Sequence, residues 1–290
     1  MSKKPKALIL FSGGLNSVLS TRLLQEQDLS LKGLFFSSCF FKNEQTKKAA
    51  QNIGLDLDIE DITEDQLTFL NENKSIYPEK EYEEFIVFLL QKARQRMIDG
   101  DFDFIVTGEN FNHRLNNKTK KRMKSVEKKA YLQGFLLRPL SAKKIQITIP
   151  EKKGWVDRGR LKGFFKRVKK SQQKLIEEFD LTFTKDWSDP LLIDNNKFKS
   201  LLDELCRKSS SDIQESDVEL LKVGHHYWYG KAKIVFNKEK ETLQELADKN
   251  DKIIDLEGQS ALIRSYRKSG NIGKRDINKA KKIHQEKFLS

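Results

Sequence analysis

Cysteine is almost absent. The 290 residues hold two, Cys39 and Cys206, at no paired spacing, which excludes a disulfide framework and a thiolate zinc centre. No apolar run reaches the roughly 18 residues that a membrane-spanning helix requires, so no membrane partner is expected. The apolar part of "MSKKPKALILF" is too short for a signal peptide and runs straight into a strand-like segment, so the expected location is cytoplasmic. There is no internal repeat, and no helix-turn-helix or zinc signature, so DNA is not an expected partner. Acid is missing locally: residues 158–174 carry eight Lys/Arg and no Asp or Glu.

Hydrophobic residues make up 37% of the chain and charged residues 33%, enough apolar material for a core beneath a highly charged surface. The net charge is +13 and the pI about 9.4. Such a field favours polyanions, nucleic acid above all, although a general bias toward lysine gives the same sum.

Strand-like and helical patterns alternate through the first half. Residues 6–11 are an apolar strand, and a helix from about Asn16 carries Val18, Leu19, Leu23 and Leu24 on one face. "LKGLFFSSCFF", "LDLDIEDI", "FDFIVTGEN" and "GFLLRPL" read as further strands. Helices are expected at "NEQTKKAAQNIG", 80–98 and 118–131. This order predicts a parallel sheet wound on both faces, with ligands at the C-terminal strand ends where strand order reverses. "SGGLNS" and "TGENFNHR" both belong to that edge. Residues 158–179 then read as one long helix with Leu161, Phe164, Phe165, Val168, Leu175 and Phe179 as its buried stripe. A smaller α+β unit follows. The boundaries so drawn are 1–155, a basic helix and junction over 156–185, and 186–290.

The turn Ser12-Gly13-Gly14 sits between a strand and a helix. Two glycines let backbone approach an anion, the helix start aims free N–H groups at the same point, and Ser12 and Ser17 add hydroxyls. A plain strand-to-helix bend can also carry two glycines. The turn is neither the dinucleotide fingerprint nor the GK[ST] loop.

"LILFSGGLNS" resembles the PP-loop of the ATP pyrophosphatases, marked by Ser-Gly-Gly-x-Asp-Ser after the first strand, and "TGE" at 107–109 is similar to their second nucleotide loop. "GFLLRPLSAKKIQITIPEKKGWVDRGRL" closely resembles the block that follows in bacterial tRNA thiouridine synthetase-like proteins. "ELLKVGHHYWYGKAKIVFNKEKE" and "GQSALIRSYR" look like an NFACT-R-type RNA-binding domain, a type also found in ribosome quality-control factors. The resemblance implies an α/β fold: a doubly wound parallel sheet of PP-loop/HUP-like type, then a smaller α+β RNA-binding domain. It implies a nucleotide site at Ser12, Gly13, Gly14, Asn16, Ser17, Gly108 and Glu109, with ATP and magnesium as cofactors. The implied activity adenylates a uracil oxygen, releases pyrophosphate and delivers sulfur from a cysteine persulfide.

The chain departs from that pattern where the chemistry resides. The loop acid is Asn16, which can cap a helix but brings no charge to a hard cation. Tyr82 and Phe85 stand where a Pro-Cys-x-x-Cys pair aligns, Pro190 stands at a further cysteine, and only Arg114 survives of the segment after "TGE". Cys39 ends a strand at the ligand edge, but a buried free cysteine is commonly a small hydrophobe. Cys206 closes a helix.

The basic features are intact. Residues 114–129 hold eight Lys/Arg against one acid, and 264–287 hold nine against two. A single charge run is usually a solvated face; three of them beside an NFACT-R-like segment favour RNA. The expected contacts are Lys120, Lys121 and Arg122, then Arg158, Lys162, Lys166, Arg167, Lys169 and Lys170. In the second unit they are His225, His226, Lys231, Lys233, Arg264 and Arg267. The reading is an RNA-binding protein, its partner tRNA or a tRNA-bearing ribosomal complex. It has a degenerate loop, weak ATP binding, no catalytic residue and no sulfur-transfer cysteines. The alternative is an active ATP-dependent tRNA thiolation enzyme with an external sulfur donor.

Overall fold

Five apolar segments pair into one parallel sheet. They are β1 (Lys6–Leu10), β2 (Ser30–Ser37), β3 (Leu57–Asp61), β4 (Phe104–Thr107) and β5 (Leu136–Leu137), in the order β3-β2-β1-β4-β5. The structure, a computed structural model, describes residues 3–40, 44–74, 79–109, 117–164, 168–181 and 196–289. Strand and helix alternate through α1 (Leu15–Gln25), α2 (Glu44–Asn52), α3 (Thr63–Asn73), α4 (Glu79–Asp99) and α5 (Asn117–Lys129). β1, β4 and β5 are apolar at nearly every position because helices cover both faces, whereas β3 at one edge alternates Leu57 and Ile59 with acids. Ala7, Ile9 and Phe11 share a core cluster with Val18 and Leu24 of α1 and Ala49 and Ala50 of α2. The intervening Leu8, with Ile105 of β4, is equally buried, and α4 packs on β1 and β4. This is the doubly wound α/β sheet that the alternation predicts. Strand order reverses between β1 and β4, so the crevice of such a sheet opens at the ends of those two strands.

The chain forms two compact units: Met1–Ile62 with Glu79–Asp194, and Thr63–Pro78 with Asn195–Ser290. Thus α3, which lies between β3 and α4 in sequence, belongs to the second unit. Asn71 on α3 exchanges two hydrogen bonds with Ile213, through Nδ2 to the carbonyl (3.0 Å) and from the amide to Oδ1 (2.8 Å).

The expected single helix over 158–179 does not form. Residues Arg158–Arg160 make one 3-10 turn, residues 161–164 are not helical, and the next helix among the described residues is Val168–Glu178. Glycines at 159 and 163 each cost a helix interior about 1 kcal/mol relative to alanine. Asp157 instead accepts the Gly159 amide at 2.7 Å and stabilises the turn. Leu161 and Phe164 are still buried, in two different clusters. A short α6 (Ile149–Lys152) precedes this break, and α7 (Val168–Glu178) follows it. Leu175 and Phe179 pack with Leu19 and Leu23 of α1. Phe165, Lys166 and Arg167, the junction around 184–190, Arg114 and Pro190 lie outside the described residues.

In the second unit, α8 (Asn196–Lys208) and α9 (Glu215–Leu220) lead into β6 (His225–Tyr229) and β7 (Ala232–Asn237). Then come α10 (Lys240–Glu245), β8 (Lys252–Leu256), β9 (Gln259–Ser265) and α11 (Lys274–Phe288). The strands form an antiparallel sheet in the order β6-β7-β9-β8. Ile234, Phe236 and Ile263 pack with Ala280 and Ile283 of α11, while Val235 and Leu262 pack with Leu220 and Leu243 of α9 and α10. The basic run over 264–287 therefore includes most of a docked helix, α11.

Candidate functional site

The loop after β1 and the loop after β4 meet. Gly108 lies so close to the first turn of α1 that a Cβ there would fall 2.6 Å from the Ser17 nitrogen and 2.8 Å from the Asn16 carbonyl carbon. Gly13 has φ +76°, and a Cβ on it would lie 2.7 Å from Thr46 Cα. Both positions therefore require glycine, Gly108 for close approach and Gly13 for close approach and conformation. Thr46 on α2 fixes the loop from behind by donating its hydroxyl to the Ser12 carbonyl at 2.9 Å. Within the loop, Ser17 Oγ donates to the Gly14 carbonyl (2.8 Å) and the Gly14 amide donates to Ser12 Oγ (3.3 Å).

Gly14, at the N-cap of α1, provides no side-chain cap. The amides of Leu15, Asn16 and Ser17 precede the first intrahelical bond, which Val18 makes to Gly14. A helix start with free N–H groups behind a glycine turn is a cradle for an anion, and a phosphate group fits it.

The side chains around the cradle are engaged elsewhere. Gln172 of α7 donates Nε2 to Asn16 Oδ1 at 2.6 Å. Glu109 Oε2 accepts from Arg138 Nε at 2.5 Å, and Glu127 Oε1 accepts from Arg138 Nη1. Arg138 is fully buried; burial opposes its charge, but Glu109 and then Glu127 raise its pKa above the ordinary value. Hence position 16 supplies an amide held by another amide, and Glu109 serves as counter-charge to a core arginine. These donors suit a phosphate without an intervening metal better than a magnesium ion, which takes charged oxygen ligands. Cys39 lies in the turn after β2 and is buried. Cys206 is also buried, and burial, then Asp203, pushes its thiol up to about 11, far from a reactive thiolate. Phe85 is buried in α4; the Tyr82 side chain lies outside the described residues.

The basic residues divide into three groups. On α5, Lys120 and Lys121 are exposed with no ion pair among the described residues, as are Lys124 and Lys128; Arg122 is 3.2 Å from Glu83. On α7, Lys169, Lys170 and Lys174 are exposed and likewise unpaired among the described residues. Other expected contacts are committed to the fold. Arg158 pairs with Glu151 and donates to the carbonyls of Ala142 (2.6 Å) and Ile145 (3.1 Å), and Lys162 is 3.9 Å from Glu178. Arg264 is 4% exposed and donates to Asp217 (2.8 Å) and Asp251 (2.6 Å). Burial opposes its charge, and Asp251 more than restores it. Arg267 holds Asp276 with two bonds of 2.8 and 2.7 Å.

Lys233 is fully buried, which lowers its pKa to about 8. His226 is lowered to about 3 by burial and then by Lys233, and is neutral at physiological pH. Neither reaches solvent as a cation for phosphate. His225 and Lys231 are exposed; the His225 ring stands edge-on to Phe288, and Lys231 donates to Ser210 Oγ.

Gln172, Thr46 and Arg138 were not legible as parts of the loop region. Arg138 carried a signal, since a lone arginine inside "FLLRPL" demands a buried acid partner; the other two did not.

No protein-family model matches the chain, and no curated protein matches it. Several solved structures are similar in shape over part of it. One is a predicted subunit of tRNA methyltransferase from Methanocaldococcus jannaschii, 15% identical, covering 60% of this chain and 76% of that one, with a TM-score of 0.37. Another is the U34-tRNA thiolase NcsA from Methanococcus maripaludis with its 4Fe–4S cluster, 18% identical, covering 70% and 64%, with a TM-score of 0.38. A third is the NMN synthetase from Francisella tularensis, 12% identical, covering 64% and 81%, with a TM-score of 0.32. Likenesses at this level bear on neither substrate nor partner.

Proposed function

We propose that this chain is an RNA-binding protein whose partner is tRNA or a tRNA-bearing ribosomal complex. The observation that carries the reading is the state of the surface cations in the first unit. Lys120, Lys121, Lys124 and Lys128 on α5, and Lys169, Lys170 and Lys174 on α7, are exposed and have no acid partner among the described residues. Arg138, Arg158, Arg264 and Arg267 are committed to acids of the fold, whereas these seven lysines are left to solvent and to a polyanion. Lysines that neutralise phosphates release counterions, which makes affinity steeply salt-dependent. The resemblance of the 134–161 block to tRNA thiouridine synthetase-like proteins, and of the second unit to NFACT-R domains, supports RNA as the polyanion.

In this reading the PP-loop-like cradle is retained without its chemistry. Ser12, Gly13, Gly14 and Ser17 would hold the phosphates of ATP or AMP weakly, through backbone N–H groups and hydroxyls. When bound, ATP supplies the family's adenylating group. Asn16, held by Gln172, brings no charge to that step, and Phe85 offers no thiolate for the next. The test is a filter-binding titration with bulk tRNA. Changing Lys120, Lys121, Lys169 and Lys170 to Glu should lower affinity at least tenfold and flatten the salt slope by about 1 for each phosphate that the variant no longer neutralises. Unchanged affinity in a variant with wild-type circular dichroism defeats the reading.

A further inference from the structure

A cavity of the first unit lies away from the cradle, between α5 and the chain that leads into α6. It measures about 590 Å³, within the range of ligand sites, which run to roughly 300–1,000 Å³. One wall is α5. The other is the chain between the 3-10 turn at Ala142–Lys144 and α6. Both walls are fixed from inside. Arg138 holds Glu127 of α5. Arg158 holds the carbonyls of Ala142 and Ile145 and the carboxylate of Glu151, whose other oxygen accepts from the Thr148 amide at 2.7 Å. The cavity is thus a built feature and not a gap between loose segments.

Its lining has three chemistries in one place. Lys120 and Lys124 come from one wall, Lys144 and Lys152 from the other; all four are exposed, and none has an ion pair among the described residues. Met123, Ile147 and Ile149 supply an apolar surface, with Ile147 left 43% exposed. Gln133 and Gln146 are exposed carboxamides whose side chains have no hydrogen-bond partner among the described residues. The one acid in the lining, Glu127, is held by buried Arg138.

A partner that satisfies this lining carries several negative charges, a flat apolar group between them, and polar edges on that group. A carboxamide can both donate to and accept from such an edge. We propose that the cavity binds an unpaired nucleotide of a single-stranded RNA segment. Its base lies on Met123 and Ile147, its edge meets Gln133 or Gln146, and its flanking phosphates meet the lysines of the two walls. Double-stranded RNA does not fit the lining, because its bases are stacked inside and the deep groove hides their edges; unpaired bases present both face and edge. The proposal rests on RNA being the partner, and it adds which part of the RNA is read and where.

The experiment is fluorescence anisotropy on the full chain with a labelled twelve-nucleotide oligouridylate, a blunt RNA duplex of the same length, and bulk tRNA. Wild type should bind the oligouridylate at least tenfold more tightly than the duplex. Ile147→Asp, at an exposed position, should weaken the oligouridylate at least tenfold. Lys120→Gln and Lys144→Gln should each lower its salt slope by about 0.7, the single-strand value per phosphate. Lys169→Glu with Lys170→Glu, away from the cavity lining, should weaken tRNA more than it weakens the oligouridylate. If wild type binds tRNA but Ile147→Asp and Lys144→Gln leave the oligouridylate unchanged, the cavity assignment is overturned and RNA binding stands. If wild type binds none of the three RNAs, both fall. Competition by oligoglutamate as strong as by the oligouridylate also overturns the assignment, since charge alone would then explain it.

Discussion

Lys233→Met should stabilise the second unit while leaving RNA binding untouched. The side chain is fully buried, and Nζ has no hydrogen-bond partner among the described residues; it rests over the Trp228 ring at 4.6 Å. Burial moves its pKa from 10.5 to about 8, with Glu204 and Asp217 pulling the other way. At about 1.4 kcal/mol per tenfold change in the proton equilibrium, that displacement costs the native state about 3 kcal/mol at neutral pH. Methionine keeps the apolar stem and removes the charge. Loss of the cation–π attraction returns about 0.5–2 kcal/mol, so the expected gain is about 1–3 kcal/mol. The sign of the pH dependence follows from the lowered value. Between about pH 8 and 10.5 the unfolded chain binds a proton that the native chain does not, so wild-type stability rises with pH in that window. The variant lacks this rise, and its advantage shrinks there. Urea titrations read by amide exchange in β6 and β7, at pH 7 and about pH 10, report the second unit alone. A variant less stable at pH 7, or a difference between the two proteins that does not change with pH, refutes the reasoning.

Arg264→Ala should act in the opposite direction. It strands Asp217 and Asp251, whose side chains are 6% and 2% exposed, and breaking such a pair costs about 3–5 kcal/mol; thermal unfolding of the second unit measures it. Arg267 holds the Asp276 carboxyl below its ordinary 3.8. Its contribution is complete above that value and disappears as pH falls through the lowered one, so in Asp276→Asn this part of the acid-unfolding profile should be absent. Asn16→Asp should make ATP binding magnesium-dependent in calorimetry without restoring tRNA thiolation in a strain that lacks its own enzymes; restored thiouridine would show that the sulfur-transfer chemistry has survived. Gly108→Ala should abolish nucleotide binding altogether, because its Cβ would strike the Ser17 amide.

The parallel sheet was legible because strand-like and helical patterns alternate along the first half of the chain, and the central strands β1 and β4 are plain apolar runs. The cradle was legible because Gly13 requires a positive φ and marks itself in the sequence. The break after Arg160 was not, because Leu161, Phe164, Leu175 and Phe179 keep helical spacing even though the first two are buried in non-helical chain. The two glycines in "RGRLKG" are the signal that this spacing hides. Lys233 and Arg264 pair across β7 and β9, so alternation places them on one face of the sheet, but alternation cannot tell that helices cover that face as well. The Gln172–Asn16 bond joins residues 156 positions apart, and two uncharged amides announce no partnership.

Ultraviolet crosslinking of the intact protein to RNA in its own cells, with sequencing of the RNA and mass spectrometry of the crosslinked peptides, tests the central claim most directly. The account predicts recovery of tRNA, alone or with ribosomal RNA, and crosslinked peptides from α5, the 144–152 wall and α7. RNA at the level of a nuclease-treated control, or crosslinks confined to segments without unpaired lysines, would contradict it.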